Sequence, residues 1–360
     1  MRIVHTESSL GWGGQEIRIL SESQGLARRG HEIRLLCPPE ARIFAEAPNW
    51  NLQPEAVPIA RKSLTGFFAL KDKLREKPCD VLSTHSSTDS WLSALALRSL
   101  GRPYPMVRTR HISAPVPRNT LSTWLYTKAT ARIVTAGEAL KQDLVERNGF
   151  AAERIESVPT GIDTERFRPG DKMAARKTLG LPADKILIGI VATLRSWKGH
   201  RFLLEALPED AGLVIVGDGP QRPMLEAQVE QLKLKYKVLF AGNQKDVVPW
   251  LQSFDVFALP SYANEGVPQA LIQAMLAGLP CVTTNVGSMA ELAIDRKTAL
   301  VVAPQNVDAL AVALRALLAD PAMREKLGAA ARRHCEERFS YDGMLDRMER
   351  IYKEAADAHR

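Results

Sequence analysis

Short runs of β-branched residues alternate with amphipathic helical patterns along the whole chain. This alternation is typical of β–α–β units, which build parallel sheets with helices on both faces. The sequence predicts strands at 2–5, 33–37, 80–84, 106–110 and 132–135, and again at 185–191, 213–216, 238–241, 256–259 and 280–284. We therefore expect an α/β fold with two similar parallel sheets.

The two predicted sheets imply two domains, which also fits a chain of 360 residues at about 100–200 residues per domain. The segments 159–163 and 168–171 are rich in turn-forming residues and separate the two halves. A last charged helix from Phe339 to Ala356 has apolar residues at helical spacing, namely Met344, Leu345, Met348, Ile351 and Tyr352. We predict domains at 1–165 and 166–338, followed by this helix within 339–360.

Composition excludes several classes of protein. Apolar residues make up 45% and charged residues 25% of the chain, which is typical of a globular protein rather than a disordered one. No apolar run approaches the ~20 residues that a membrane-spanning helix needs, and the first residues do not resemble a signal peptide. The 4 cysteines are far apart, without a Cys-x-x-Cys pair. We expect a cytoplasmic protein.

The charge distribution indicates an anionic partner. The formal net charge is +7, and no Asp or Glu lies between Ser90 and Gly137. That segment contains Arg98, Arg102, Arg108, Arg110, Arg118, Lys128 and Arg132. Because aromatics are few and no nucleic-acid motif is present, an acidic substrate or an anionic membrane surface fits better than nucleic acid.

A second basic stretch, residues 61–74, is also amphipathic. Its apolar residues are Leu64, Phe67, Phe68 and Leu74. We expect them to face the core, with insertion into a membrane surface as the alternative.

Ligands of doubly wound sheets bind beyond the carboxyl ends of the strands, so the loops there are informative. After the first strand, Gly13 and Gly14 precede a helix, where open amides attract phosphate or sugar oxygens; a tight turn is the alternative. The Gly-x-Gly-x-x-Gly pattern is incomplete and no acidic residue ends the second strand, which argues against NAD. Arg195 and Lys198 follow the first strand of the second half and could reach one diphosphate, although a solvated basic turn is commoner.

Three further strand ends carry polar residues. Gly217, Asp218 and Gly219 form a turn in which Asp218 is expected to cap the next helix. In the segment 260–275, Glu265, the amides of Gly266 and Val267, and Gln273 suit a polyhydroxylated, phosphorylated ligand. In the first half, Arg108 and Arg110 could hold a phosphate, and His111 could bind a sugar hydroxyl. A purely structural role for the histidine is the alternative.

Together and in this order, these segments resemble the retaining nucleotide-sugar glycosyltransferases of family 4, which have the GT-B fold. The resemblance runs from Gly13 and Gly14 through 25–31 and 159–163 to the Glu265 segment. It implies two Rossmann-like, doubly wound parallel-sheet domains that face each other across a cleft. The first would bind the acceptor and the second the nucleotide sugar, and the C-terminal helix would cross back to the first domain.

The resemblance also implies roles for single residues. In the second half, it implies that Lys198 contacts the donor diphosphate and that Glu265 contacts the transferred sugar, together with Gly266 and Val267. In the first half, it implies that Gly13 and Gly14 close on the donor and that His111 lies near the reacting side of the sugar. Two positions depart from the family pattern. Arg195 is displaced by two residues from the family's Gly-Arg-Leu arginine, and Gln273 replaces the second glutamate of Glu-x7-Glu.

The expected function is transfer of a sugar from a nucleotide-diphosphate sugar to a hydroxyl of an anionic cell-envelope glycan or glycolipid, such as lipopolysaccharide or a lipid-linked saccharide. The anomeric configuration would be retained. No Asp-x-Asp occurs in the sequence, so neither a metal nor another cofactor is indicated, and basic side chains would stabilise the leaving diphosphate. Arg108 and Arg110 would bind the acceptor, at the inner face of the cytoplasmic membrane. The alternatives are a catalytically silent sugar-nucleotide or glycan-binding protein, and a nucleotide-sugar epimerase on the same fold.

Overall fold

The computed structural model describes residues 1–112, 114–263 and 265–359. These residues form two compact units. The first unit contains Met1–Thr160 and the residues from Asp342 onward, and the second contains Gly161–Tyr341. Among the described residues, no helix has both the length and the apolar character needed to cross a bilayer.

The boundary of the second unit is set by pairing between its two ends. Ile162 forms a parallel bridge with Ser340. The Ile162 amide donates to the Phe339 carbonyl at 2.9 Å, and the Tyr341 amide donates to the Ile162 carbonyl at 3.1 Å. Residues 161–165 and 339–341 therefore lie with the second unit, which extends beyond its predicted bounds of 166 and 338.

The first unit is built on strands β1 (Arg2–Thr6), β2 (Glu32–Cys37), β3 (Pro54–Ala56), β4 (Val81–Thr84), β5 (Met106–Arg110), β6 (Arg132–Thr135) and β7 (Ile155–Ser157). Its helices are α1 (Gly14–Arg28), α2 (Arg42–Glu46), α3 (Leu64–Glu76), α4 (Ser87–Ser99), α5 (Thr120–Trp124) and α6 (Glu138–Gln142). Over the described residues the strands form one seven-stranded sheet in the order β3-β2-β1-β4-β5-β6-β7. All of its pairings are parallel.

Short helical turns complete the first unit. They comprise the 3-10 turns Ala47–Trp50 and Ala152–Arg154, and the π-helical turns Leu125–Ala129 and Asp143–Arg147, which continue α5 and α6. Central strand residues such as Val4, Leu36, Leu82 and Met106 are buried in one hydrophobic cluster. The burial of these positions explains why apolar residues mark the strands in the sequence.

The second unit is built on strands β8 (Ile186–Val191), β9 (Ala211–Val216), β10 (Val238–Gly242), β11 (Val256–Leu259), β12 (Cys281–Thr283) and β13 (Leu300–Val301). Its helices are α7 (Lys172–Leu179), α8 (His200–Glu205), α9 (Arg222–Gln231), α10 (Val248–Ser253), α11 (Gln269–Leu276), α12 (Val307–Ala319) and α13 (Pro321–Arg338), with 3-10 turns at Ser196–Lys198 and Gly287–Glu291. In the part of the unit that is described, six strands form a parallel sheet in the order β10-β9-β8-β11-β12-β13. The expected α/β class with two doubly wound parallel sheets is therefore confirmed.

The last helix, α14 (Tyr341–Asp357), packs on the first unit from Asp342 onward. Its apolar stripe, predicted from the sequence, is buried, namely Met344, Leu345, Met348, Ile351 and Tyr352. Arg29 donates to Asp346 at 2.6 Å, and the Tyr352 hydroxyl donates to Glu22 at 2.7 Å. The ion pair of Asp346 with Arg29 and the hydrogen bond from the buried Tyr352 phenol therefore hold α14 in place.

Helix α3 differs from the expectation that its apolar residues face the core. Leu70 and Leu74 are buried, but Leu64 is 76% and Phe68 54% exposed. The buried stripe of α3 begins at Gly66, where an added Cβ would lie 2.7 Å from the Pro58 carbonyl oxygen. Because this close approach sets the rotation of the helix, Leu64 and Phe68 lie on a neighbouring, solvent-facing side.

Both sheets reverse their strand order at an internal point. In the first unit, β1 lies between β2 and β4, and in the second, β8 lies between β9 and β11. In each sheet, the loops that follow the two strands at the reversal point lead to opposite faces of that sheet. They leave a crevice between them, where doubly wound proteins bind ligands. Four of the predicted site residues follow strands at these two points, namely Gly13, Gly14, Lys198 and Glu265.

Candidate functional site

An ion pair lies at the reversal point of the second sheet. Lys198 ends a 3-10 turn that follows β8, and Glu265 follows β11, the neighbouring strand. The Lys198 ammonium donates to the two Glu265 carboxylate oxygens at 2.7 and 3.0 Å, and the glutamate is buried. The structure therefore brings together two of the predicted catalytic residues, which are 67 positions apart in sequence.

Local contacts fix both loops of this ion pair. The Ser261 hydroxyl donates at 2.6 Å to Glu265 Oε1, the oxygen that lies 2.7 Å from the Lys198 ammonium. The Tyr262 amide donates to the Trp197 carbonyl at 2.8 Å. Gly287, with φ of +57°, lies so close that an added Cβ would be 1.9 Å from the Glu265 carbonyl oxygen. The carboxylate therefore has a defined position before any ligand binds.

The other predicted donor-binding residues differ in burial and in their partners. Val267 is buried, Gly266 and Gln273 are partly buried, and Gln273 lies in α11. Arg195 is exposed, and its guanidinium lies 5.8 Å from the centre of the Trp197 ring. Arg195 and Lys198 are thus held by different partners. Asn264, within the predicted segment, lies outside the described residues.

Asp218 does not cap the helix that follows it, contrary to the expectation. Helix α9 begins at Arg222, and its N-cap residue, Gln221, makes no capping hydrogen bond through its side chain. Asp218 instead accepts from the Gly219 amide at 2.7 Å and pairs with Arg222 at 3.1 Å. The turn itself is structural, because a Cβ on Gly217 would lie 2.1 Å from the Ala192 carbonyl oxygen.

The first unit contains a chain of three histidines. His5 Nδ1 lies 2.9 Å from His85 Nε2, and His85 Nδ1 lies 3.1 Å from His111 Nε2. His5 belongs to β1, His85 follows β4 and His111 follows β5, so three neighbouring strands supply the three rings. The structure therefore connects His111, predicted as a catalytic residue, to the interior of its sheet.

The chain of histidines ends against α14. The edge of the Tyr352 ring meets the His5 ring with centroids 6.2 Å apart. The Tyr352 hydroxyl also lies 3.0 Å from the Ser83 hydroxyl, which in turn lies 3.4 Å from His85 Nε2. Loss of solvent lowers the pKa of His5, His85 and His111 below the ordinary value for histidine. His111 is therefore neutral at physiological pH and suited to hydrogen bonding with hydroxyls.

The predicted glycine loop begins α1. Gly13 is the N-cap residue of this helix and has an extended backbone, and its carbonyl accepts from the Ile17 amide at 3.1 Å. An added Cβ at Gly13 would meet no atom closer than 3.8 Å. The fold of this unit therefore tolerates a side chain there, so the glycine is not required by local packing.

The two predicted acceptor-binding arginines have different environments. Arg110 Nη1 donates to the Tyr126 hydroxyl at 2.6 Å, and Arg110 Nη2 donates to the Ile112 and Ala114 carbonyls. Arg108 is only 4% exposed, and its Nη1 has no hydrogen-bond partner among the described residues. Arg110 therefore holds the loop after β5, whereas Arg108, in the part of the chain described, has an unpartnered Nη1 and lines a cavity of about 640 Å³.

Sequence reasoning missed His5, His85 and Ser261. His5 lies near the end of β1, His85 directly follows β4, and Ser261 follows β11 by two residues. The rule that points to the ends of parallel strands covers all three. The sequence does not give the order of the strands in the sheet, and this order decides which strand ends are neighbours.

Two family models match the chain, and each falls almost entirely within one unit. The model of Glycosyltransferase Family 4 matches residues 12–166, and that of Glycosyl transferases group 1 matches residues 171–334. Among curated proteins, the D-inositol 3-phosphate glycosyltransferase of Xylanimonas cellulosilytica is 29% identical over 392 aligned residues, which cover 95% of this chain and 92% of that protein.

Solved structures have the same fold. Anabaena HepE in complex with UDP matches with a TM-score of 0.87 and 19% identity, over 98% of this chain and 100% of that chain. WaaG, a glycosyltransferase involved in lipopolysaccharide biosynthesis, matches with a TM-score of 0.73 and 19% identity, over 99% of each chain. The fold and the resemblance stated from the sequence are thereby confirmed. The chain belongs to the GT-B glycosyltransferases, with a Family 4 glycosyltransferase domain followed by a group 1 glycosyl transferase domain.

Proposed function

We propose that this enzyme transfers a sugar from a nucleotide-diphosphate sugar to a hydroxyl of an anionic cell-envelope glycan or glycolipid, with retention of configuration and without a metal ion. It would act at the inner face of the cytoplasmic membrane. The Lys198–Glu265 pair at the reversal point of the second sheet carries this proposal. A buried carboxylate next to an ammonium offers both an acceptor for sugar hydroxyls and a cation for a diphosphate.

The proposed roles follow from the charge that develops during transfer. The bond between the anomeric carbon and the diphosphate oxygen breaks, and negative charge grows on the diphosphate. Lys198 would move from Glu265 to that group, with Arg195 and the amides of Gly266 and Val267 as further donors. The acceptor oxygen would attack from the same face, and its proton would pass to the departing phosphate.

The roles proposed for the sugar-binding groups rest on their hydrogen-bonding capacity. Glu265 would accept from hydroxyls of the transferred sugar once Lys198 leaves it, while Ser261 holds one of its oxygens. The amide of Gln273 can bind ribose hydroxyls without a charge. In the first unit, neutral His111 would bind a sugar hydroxyl, and the Gly13–Gly14 amides would approach the donor closely because neither residue has a side chain.

The named relatives support a nucleotide-sugar donor. HepE has been solved with UDP, with UDP and glucose, and with UDP-glucose. WaaG acts in lipopolysaccharide biosynthesis and the Xylanimonas relative acts on D-inositol 3-phosphate, according to their names. The second of these names contains a phosphate, which supports the cationic character proposed for the acceptor side.

The test is nucleoside diphosphate release from a panel of UDP and GDP sugars, with and without an envelope glycolipid extract, in the presence of EDTA. We expect acceptor-dependent release with one donor, and a decrease in kcat/KM of at least about 100-fold for Lys198→Ala and Glu265→Gln. Lys245→Ala, an exposed lysine of the same unit, is the control and should retain wild-type turnover.

Product analysis separates the alternatives. An epimerase would change the sugar without an acceptor, and a silent binding protein would bind the nucleotide without releasing a product. Full turnover in Lys198→Ala, or complete dependence on an added divalent cation, would contradict the mechanism proposed here.

A further inference from the structure

The cavity beside Arg108 has the size and the wall of a ligand site. Its volume of about 640 Å³ lies within the range of small-molecule sites, about 300–1,000 Å³. Its wall combines the polar end of β5 with one side of α4 and with α5, all within the first unit. His85 and His111 form part of this wall, so the cavity is adjacent to the histidine chain.

Arg108 provides a buried cation on this wall. Within the described residues, no carboxylate lies within 4.0 Å of its guanidinium, and its Nη1 is unpartnered. The nearby Asp89 carboxylate is already engaged by Thr6, by Ser86 and by the His85 amide. In the described part of the chain, Arg108 thus has no directly bonded carboxylate, and because a buried cation is costly unless it is paired, this arrangement favours an anion in the cavity.

The Arg108 guanidinium is also held in a defined orientation. It lies 4.3 Å from the centre of the Tyr126 ring, and the Tyr126 hydroxyl accepts from Arg110. The ring therefore supports one face of the guanidinium, whose Nη1 has no hydrogen-bond partner among the described residues. A planar cation held by one face is suited to two parallel hydrogen bonds with a phosphate.

The wall formed by α4 changes from polar to apolar along the helix. Ser87, Trp91 and Leu95 all line the cavity and follow each other at intervals of four residues, which places them on one side of α4. At 1.5 Å per residue, Leu95 lies about 12 Å from Ser87 along the axis. The lining side chains of α4 thus change from a hydroxyl at Ser87 to the apolar Trp91 and Leu95.

The apolar part of the wall is exposed to solvent. Leu95, Ile112 and Leu121 line the cavity and are 44%, 55% and 67% exposed. Trp91 stacks on Trp124 with ring centroids 6.1 Å apart. Large apolar side chains gathered around one opening mark a place where a partner supplies hydrocarbon.

We propose that this cavity binds a glycolipid whose saccharide is joined to its hydrocarbon chain through a phosphate, with the phosphate on Arg108 and the chain along Trp91, Leu95 and Leu121. The inference rests on the proposed transferase function and names the acceptor class of the same site. Lys62, whose ammonium lies 5.4 Å from the centre of the Trp91 ring, adds a second cation at the cavity.

The direct test is calorimetric titration of the full-length protein with three probes: octyl α-glucosyl phosphate, methyl α-glucosyl phosphate and octyl α-glucoside. We expect the first probe, which has both groups, to bind at least about tenfold more tightly than either of the others. Equal binding of the methyl ester would indicate a water-soluble sugar phosphate as the ligand and overturn the proposal. Equal binding of the uncharged glucoside, or no binding of any probe, would also overturn it.

Paired variants locate the binding. Arg108→Gln should weaken binding of both phosphates at least about tenfold without affecting the glucoside, whereas Arg28→Gln, an exposed arginine of the same unit that does not line the cavity, should change nothing. Unchanged binding in Arg108→Gln would overturn the assignment. Because Arg108 is buried, thermal melting is recorded for each variant, and Arg108→Lys is the second variant, for which we expect a loss of about threefold.

A second pair tests the hydrocarbon contact. Leu121→Ser should reduce binding of octyl α-glucosyl phosphate at least about threefold and leave the methyl ester unaffected. Leu64→Ser is the control, because Leu64 is also an exposed leucine in a first helical turn but does not line the cavity. If Leu121→Ser instead abolishes sedimentation with anionic phosphatidylglycerol vesicles while octyl probe binding is unchanged, the face contacts membranes and the proposal is wrong.

UDP binding by the second unit, measured on the same samples, separates this inference from the proposed function. If UDP binds and the octyl probe does not, the inference alone fails. If the octyl probe binds and no nucleotide or nucleotide sugar does, the transferase proposal fails and the phosphate-binding cavity stands.

Discussion

His85 Nδ1 lies 3.1 Å from His111 Nε2, and the other nitrogen of His85 lies 2.9 Å from His5 Nδ1. Each contact needs one N–H and one lone pair, so three neutral rings must donate in a common direction. Donation toward His111 leaves a bare lone pair at the unpartnered Nε2 of His5, whereas the reverse direction would bury an N–H there. The first direction avoids a buried N–H group without a partner, and it would leave His111 with its proton on Nδ1.

We therefore expect His85 to act as a positioning residue for His111. His85→Leu should lower kcat/KM for sugar transfer by about 10- to 100-fold, because His111 loses the partner that fixes its ring and tautomer. His85→Asn, which can still donate, should recover part of the loss. UDP binding to the second unit is the control and should not change. Wild-type kcat/KM in His85→Leu would contradict a positioning role.

Gly287 should be required for the position of Glu265. An alanine there combines a φ of +57° with a Cβ 1.9 Å from the Glu265 carbonyl oxygen. We expect Gly287→Ala to reduce the free energy of unfolding by about 2 kcal/mol or more and to lower turnover. Gly180→Ala is matched to it, since Gly180 has a φ of +67° but no atom within 4 Å of an added Cβ. This control should cost about 1 kcal/mol and leave kcat unchanged, as measured by urea denaturation and steady-state kinetics.

Glu7 should make the protein less stable as pH rises. Burial, with the Asp89 carboxylate nearby, raises the pKa of Glu7 from 4.5 to about 8. Between these values the folded state binds more protons than the unfolded state, so the free energy of unfolding falls with increasing pH. Glu7→Gln should therefore stabilise the protein at pH 8.5 relative to wild type, and the gain should shrink at pH 5.

The Glu7→Gln side chain can keep both present contacts. Its oxygen can accept from the Ser9 amide, now bonded to the carboxylate at 2.7 Å, and the Gln15 amide can turn to accept from the new N–H group. Thermal melting of the two proteins at both pH values is the measurement. A stability difference that is the same at pH 5 and pH 8.5 would rule out an ionised Glu7 as the cause.

His200 should have the opposite effect at low pH. Burial, with Lys198 nearby, lowers the pKa of His200 from 6.5 to about 3, and neither ring nitrogen has a hydrogen-bond partner among the described residues. The unfolded state binds the extra proton in this window, so stability present above pH 6.5 is lost as pH falls toward 3, by up to about 1.4 kcal/mol per pH unit. His200→Leu should flatten this dependence in urea denaturation, whereas a change at the exposed His359 should not.

Much of the fold follows from the sequence alone. The predicted strands all form, because each contains β-branched or other apolar residues that favour extension and pack in the sheet. Strands β3, β7 and β13 are missing from the prediction. They have two or three residues each and lie at sheet edges, so they are extended because a neighbour pairs with them and not because of a local pattern.

For the candidate site, the sequence by itself determined which residues stand at strand ends, including Lys198, Glu265 and His111. Only the tertiary structure decided their partners, which are Lys198 for Glu265 and His85 for His111. It also decided that Arg110 bonds to Tyr126, whereas Arg108 Nη1 has no partner among the described residues. The physical reason is that local propensity and hydrophobic pattern act over a few residues, whereas a contact between residues tens of positions apart depends on strand order and burial.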